Sequence, residues 1–117
     1  MNWQERDEQI LAQLREAVQE LLTIEKPIRI TVSKVAKEIG QLALLEQHLN
    51  QMPQTKTYLD SVAESIEDYQ IRRVKWAIET LDQRGEEVLC WKVVRMAGLK
   101  PDYSEKVERA IAQELGV

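Results

Sequence analysis

The sequence predicts an all-α protein, a compact bundle of six or seven helices containing two helix-turn-helix-like units. Three observations lead there. Apolar residues recur at three- and four-residue spacing in nearly every long window. The breakers Gly and Pro fall between those windows rather than inside them. Finally, "KVAKEIG" (34–40) and "KVVRMAG" (92–98) repeat at an offset of 58, each followed by a leucine within two residues.

Taken in order, Ile10, Leu11, Leu14, Val18, Leu21 and Leu22 form one stripe on a helix over about 4–23, with Asp7, Glu8, Glu16 and Glu20 on its polar side. Pro27 breaks it, and "IRI" (28–30) reads as an extended connector. Thr31 offers an N-cap to "VSKVAKEI", and Gly40 supplies the left-handed residue that ends it. A helix over about 42–51 buries Leu42, Leu45 and Leu49, and Pro53 closes it. From Thr55 to Arg84 the chain is helical and free of Gly and Pro, with a break expected near 65–68 where Ser65 and Asp68 make a capping start. Gly85 ends that segment; "EVLCWKVVRMAG" gives another helix, stopped by Gly98. Asp102 with Glu105 reads as the capping box of a last helix over about 103–115.

At 117 residues the chain is read as a single helical domain spanning 1–117. It has no Phe, so Leu, Ile, Val and Ala build the core, with Trp3, Trp76 and Trp91 as its bulky members. A lone cysteine, Cys90, excludes an internal disulfide or a Cys-rich zinc site and is expected to be a small buried residue. No apolar run reaches the roughly 20 residues of a membrane span, and the start "MNWQERDEQI" is not a signal peptide, so a cytoplasmic protein with no membrane contact is expected. His48 is the only histidine and has no acidic partner at ligand spacing; Glu64, Glu67 and Asp68 read as the wet face of a helix. No phosphate loop or nucleophile motif is present. The expectation is therefore no enzyme, no catalytic or metal site, no cofactor and no small-molecule substrate.

The net charge of −4 is unevenly spread: residues 26–58 carry +3 and 92–117 carry +1, while 1–25 and 59–91 carry −4 each. The two net-basic segments hold the two repeated motifs, which suggests local phosphate contact. A helix-turn-helix needs a small residue where its helices cross and a residue tolerant of positive φ about four positions later. Ala36 and Gly40 supply this in a first unit over about 31–51; Val94 and Gly98 have the same separation in a second over about 87–115. The residues offered to double-stranded DNA are Lys34, Lys37, Gln41, Gln47, His48 and Lys56 in or near the first unit. In the second they are Lys92, Arg95, Lys100, Ser104, Lys106 and Arg109. Gln can read adenine edges while Lys and Arg hold phosphates. A third basic knot, Arg72, Arg73 and Lys75, is open to two readings, a further DNA contact or structural i,i+4 pairing with Glu67, Asp68 and Glu79.

Several stretches together resemble the C-terminal region of the TnsD (TniQ-related) target-selection proteins of bacterial transposons. They are "NWQERD", "KPIRITVSKVAKEIG", "MPQTKTYL", "ESIEDYQIRRVKWA" and "WKVVRMAGL". The resemblance is carried by Trp3, Arg6, Asp7, Pro27, Arg29, Thr31, Gly40, Pro53, Thr55, Leu59, Glu64, Ser65, Arg72, Arg73, Trp91, Arg95, Ala97, Gly98 and Leu99. It implies sequence-specific binding of target DNA and recruitment of other transposition proteins, with strand cutting left to those partners. The sequence departs from the family in two ways. The zinc-binding N-terminal region of the family has no counterpart here, and the family's LPKT reads MPQT, with Gln54 in place of a basic group. The alternative reading is a helical protein–protein adaptor without direct DNA contact, docking a partner on the acidic helices of 1–25 and 59–70.

Overall fold

A computed structural model describes residues 2–116, and its described residues form two compact helical units. The first comprises residues 2–24 and 28–64, the second residues 25–27 and 65–116. Seven α-helices and one 3-10 turn account for the regular structure, and no strand occurs among the described residues, so the all-α expectation holds.

The first unit is organised around α1 (Trp3–Leu22), whose stripe of Ile10, Leu14, Ala17, Val18 and Leu21 is buried as its spacing predicts. Asn2 caps it, its side chain accepting from the Glu5 N–H. Next come α2 (Val32–Glu38) and α3 (Leu42–His48), the latter tightening into a 3-10 turn at Leu49–Gln51, and then α4 (Pro53–Val62). Helix α1 packs on both α2 and α4. Their common core gathers Ile30, Val35, Ala36, Leu45, Met52 and Leu59 around the α1 stripe.

One of these boundaries differs from expectation. Pro53 opens α4 rather than closing the helix before it: at the first helical position its missing N–H costs nothing and its fixed φ suits the turn. Met52, which precedes it, has no capping side chain. The cap comes instead from α1. Asp7, buried, accepts from the Gln54 N–H at 3.0 Å and the Thr55 N–H at 2.8 Å, and the Thr55 hydroxyl donates to the Asp7 carbonyl at 3.2 Å. A carboxylate thus sits on the positive end of α4, where first-turn amides lack intrahelical partners. The connector 28–30 is extended as expected. Ile30 exchanges two hydrogen bonds with Glu64: its N–H donates to Oε1 at 2.8 Å, and its carbonyl accepts the Glu64 N–H at 2.8 Å.

The second unit is built on α5 (Ile66–Gln83), against which both α6 (Cys90–Ala97) and α7 (Glu105–Leu115) pack. Val74, Ala77 and Leu81 of α5 meet Val93 and Ala97 of α6 and Val107 and Ile111 of α7. Ser65 caps α5, accepting from the Asp68 N–H at 3.0 Å, as the sequence predicts. Helix α7 starts later than expected, and its cap is Ser104, which accepts from Val107, not Asp102. Because Ser104 also donates to Glu67 of α5, the tertiary contact favours it over the competing Asp102.

Arg73 is buried in this unit. Its guanidinium donates to carbonyl oxygens of Ala97 (3.1 Å), Pro27 (3.1 Å) and Met96 (3.5 Å) and lies over the rings of Trp76 and Tyr69. The carboxylate partners expected for the basic knot are thus replaced, for Arg73, by the orphan carbonyls at the end of α6. Lys75 likewise reaches Glu114 at 3.8 Å, outside its own helix. In the first unit, Arg29 donates to the main-chain carbonyl of Glu64. Two placements overturn expectation outright: Trp91 is 59% exposed and Cys90 is exposed. Helix α6 turns Val93 and Ala97 inward, and Trp91, two residues before Val93, falls on the opposite face.

These contacts predict two outcomes. Burial works to raise the Asp7 carboxyl, but the Thr55 side chain and the Thr55 and Gln54 amides outweigh it, and the group titrates below its ordinary 3.8. Its stabilisation is therefore complete above that ordinary value and is lost as pH falls through the lower folded value. Asp7→Ala should cost about 1.5–3 kcal/mol in denaturant unfolding at neutral pH, and Asp7→Asn should flatten the acid limb of stability against pH. Separately, Gly40→Ala should cost about 1–2 kcal/mol for its left-handed backbone alone. Its φ is +68° and a Cβ there would meet nothing within 4 Å. Gly98→Ala should cost more, because its Cβ would come within 3.3 Å of the Arg73 guanidinium that the Ala97 and Pro27 carbonyls hold in place. Thermal melts of the two variants test that order.

Candidate nucleic-acid interface

The repeated motifs end their helices identically. After α2, the Gly40 N–H donates to Lys37 and the Gln41 N–H to Ala36; after α6, Gly98 donates to Arg95 and Leu99 to Val94. Each is the paired closure in which a left-handed glycine satisfies the last carbonyls. Gly85 and Glu86 close α5 on Asp82 and Leu81 in the same way, so the closure is common to three helix ends and does not single out the two motifs. Their burial also differs. In the first, Val35 and Ala36 are inside; in the second, Val93 and Ala97 are. Helices α2 and α3 pack on each other, whereas α6 and α7 each lean on α5.

In the first unit, Lys34 and Lys37 stand exposed on α2, Lys56 on α4 and Gln47 on α3, while Gln41 is half-buried in the turn. Lys34 is paired with Glu38 at 3.4 Å. His48 is drawn inward: its ring lies 4.9 Å from that of Trp3, and Nδ1 is 2.9 Å from Oε1 of Gln51. The Trp3 contact holds the end of α3 against α1 and the Gln51 contact ties it to the following 3-10 turn, a packing use for the residue.

In the second unit, Lys106 pairs with Asp68 at 3.0 Å and Arg109 with Glu105 at 2.6 Å. The hydrogen bond from Lys106, then one involving Ser65, hold the Asp68 carboxyl below its ordinary value, and the same contact with Asp68 raises the Lys106 ammonium. Ser104 is engaged as the cap of α7. Exposed pairs of this kind are weak because solvent screens them, so a phosphate can compete for Lys34, Lys106 or Arg109. Lys37, Lys56, Lys92, Arg95 and Lys100 make no ion pair among the described residues. Three of these, Lys92, Arg95 and Lys100, lie on α6 or the turn after it.

Arg84, the C-cap of α5, and Trp91 were not among the residues the sequence offered to DNA, yet they line one open groove with Lys92 and Arg95. Helical spacing held the signal. Trp91 and Arg95 are four residues apart and share a face, and Val93 and Ala97 share the opposite one. Among the described residues, no group of three or more His, Cys, Asp or Glu side chains is placed to hold a metal ion, and no helix is long and apolar enough to cross a membrane.

Comparison with known proteins finds relatives in one family. The family model described as "TnsD: Tn7-like transposition protein D" matches residues 1–59, just over half of it. The chain is also 30% identical, over 99% of its length, to the transposon Tn7 transposition protein TnsD of Escherichia coli. It spans 23% of the length of that relative. No solved structure matches it significantly. The chain belongs to the TnsD family of Tn7-like transposition proteins.

Proposed function

We propose that this chain is a DNA-binding segment used in target-site selection during Tn7-like transposition, corresponding to the C-terminal region of the TnsD proteins. One observation carries the reading beyond family membership. The cations on α6 and its following turn, Lys92, Arg95 and Lys100, are without ion pairs among the described residues, although acidic residues outnumber basic ones in the chain by 20 to 16. Cations left over in an acidic protein, beside a turn between two helices, suit a phosphate backbone. Lys37 and Gln47, exposed in the first unit, supply a second and smaller contact.

On this reading the chain binds and positions; it performs no bond cleavage, and it serves other transposition proteins by marking the site. The adaptor reading draws on the exposed carboxylates of α1, among them Glu8, Glu16 and Glu20, which suit a basic protein partner.

A salt titration of binding to duplex DNA separates the two. Contact through several phosphates predicts a log–log slope of about −0.9 per contact, and Lys37→Glu is expected to weaken binding with the melting temperature unchanged. No binding to duplex carrying the attachment site at low salt defeats the DNA reading and favours the adaptor. Unchanged affinity in Lys37→Glu removes the first unit from the contact surface.

A further inference from the structure

The second unit carries a surface feature that the general DNA reading does not explain. Trp91 is the most exposed large apolar side chain among the described residues, at 59%. A tryptophan standing in water forfeits burial worth about 1.5–3 kcal/mol for a large apolar group, and nothing in α6 requires one there, since Val93 and Ala97 supply its packing face. Around it lie Arg84 from the end of α5 and Lys92 and Arg95 from α6, with Leu81, Met96 and Glu86 completing an open groove of about 400 Å³. The Lys92 ammonium sits 5.8 Å above the Trp91 ring. None of Arg84, Lys92 and Arg95 makes an ion pair among the described residues. Three cations against the single carboxylate of Glu86 leave the lining of the groove net positive.

We propose that this groove seats the sugar-phosphate backbone of duplex DNA, with Arg84, Lys92 and Arg95 on successive phosphates and the Trp91 indole against a deoxyribose. The inference rests on the DNA-binding reading above and assigns it a surface. Charge complementarity selects the occupant: a repeating anion can satisfy three fixed cations at once. The indole fits between them, since its face is apolar and its one polar group, N–H, is a donor matched to phosphate oxygen. An acidic protein segment is the other class of occupant, and the test separates it.

The full 117-residue chain is titrated with a fluorescently labelled duplex of mixed sequence over a range of salt, alongside Trp91→Ala, Arg95→Gln and the triple Arg84→Gln/Lys92→Gln/Arg95→Gln variant. Trp91→Ala is expected to weaken binding with little change of slope, because it removes an apolar contact and no charge. The triple variant should lower the slope by about 2.7 and Arg95→Gln by about 0.9, one step per phosphate. Tryptophan emission of the wild type should fall on adding duplex, and that change should vanish in Trp91→Ala. Exposure of Arg84, Trp91 and Arg95 leaves the fold independent of these changes, with melting curves as the check. Wild-type binding with affinity and slope preserved in all three variants overturns the groove as the seat, points to a protein occupant and leaves the DNA reading standing. No binding to the mixed duplex by the wild type at the lowest salt overturns the groove as a backbone seat, and the same absence on duplex carrying the attachment site overturns the DNA reading as well.

Discussion

Short helices leave a large share of their backbone groups without intrahelical partners, and this chain meets that constraint with two buried charges placed far from the ends they close. Asp7 of α1 caps the amino end of α4, and Arg73 of α5 takes the last carbonyls of α6. Each sign matches the helix end it faces, an anion at the positive end and a cation at the negative one. Each charge also joins two elements, so one contact settles a helix boundary and a helix–helix packing together. Leaving either end open would bury polar groups without partners, which costs more than any single apolar contact nearby contributes.

That arrangement shapes the candidate interface. With the Ala97 carbonyl held by Arg73 and Gly98 in its left-handed conformation, the end of α6 is fixed on α5, and the outer face of α6 is free to present side chains to solvent. The inner face needs only Val93 and Ala97. Trp91, Lys92 and Arg95 are therefore released from structural duty, while Lys106, Arg109 and Lys34 are partly occupied by carboxylates. The outer face of α6, basic and aromatic and without ion pairs among the described residues, is the surface on which the proposed DNA contact rests.

Much of this was legible from spacing. The buried stripe of α1, the caps at Thr31 and Ser65 and the glycine stops at Gly40, Gly85 and Gly98 all depend on residues within a turn of one another, so local rules find them. The pairs Lys34–Glu38 and Glu105–Arg109 also lie at four-residue spacing, although the sequence reading offers Lys34 and Arg109 to DNA. Pro53 was not legible, because proline suits both the start of one helix and the stop after another, and its cap lies 47 and 48 residues away on α1. Ser104 prevailed over Asp102 through Glu67, and Lys106 found Asp68, both 37 or 38 positions distant.

By itself, then, the sequence determined the helical class, the order of its elements, most of its helix ends and the resemblance to a transposition family, since each rests on short-range geometry or on residue order. Tertiary structure decided which charges are internal and which are available. Arg73 and Asp7 look no different from Arg95 and Glu8 along the chain, and only packing makes two of them buried caps. It also moved Trp91 from the expected core to the surface: spacing groups Trp91 with Arg95 and Val93 with Ala97, and only packing on α5 selects the second pair as the inner face.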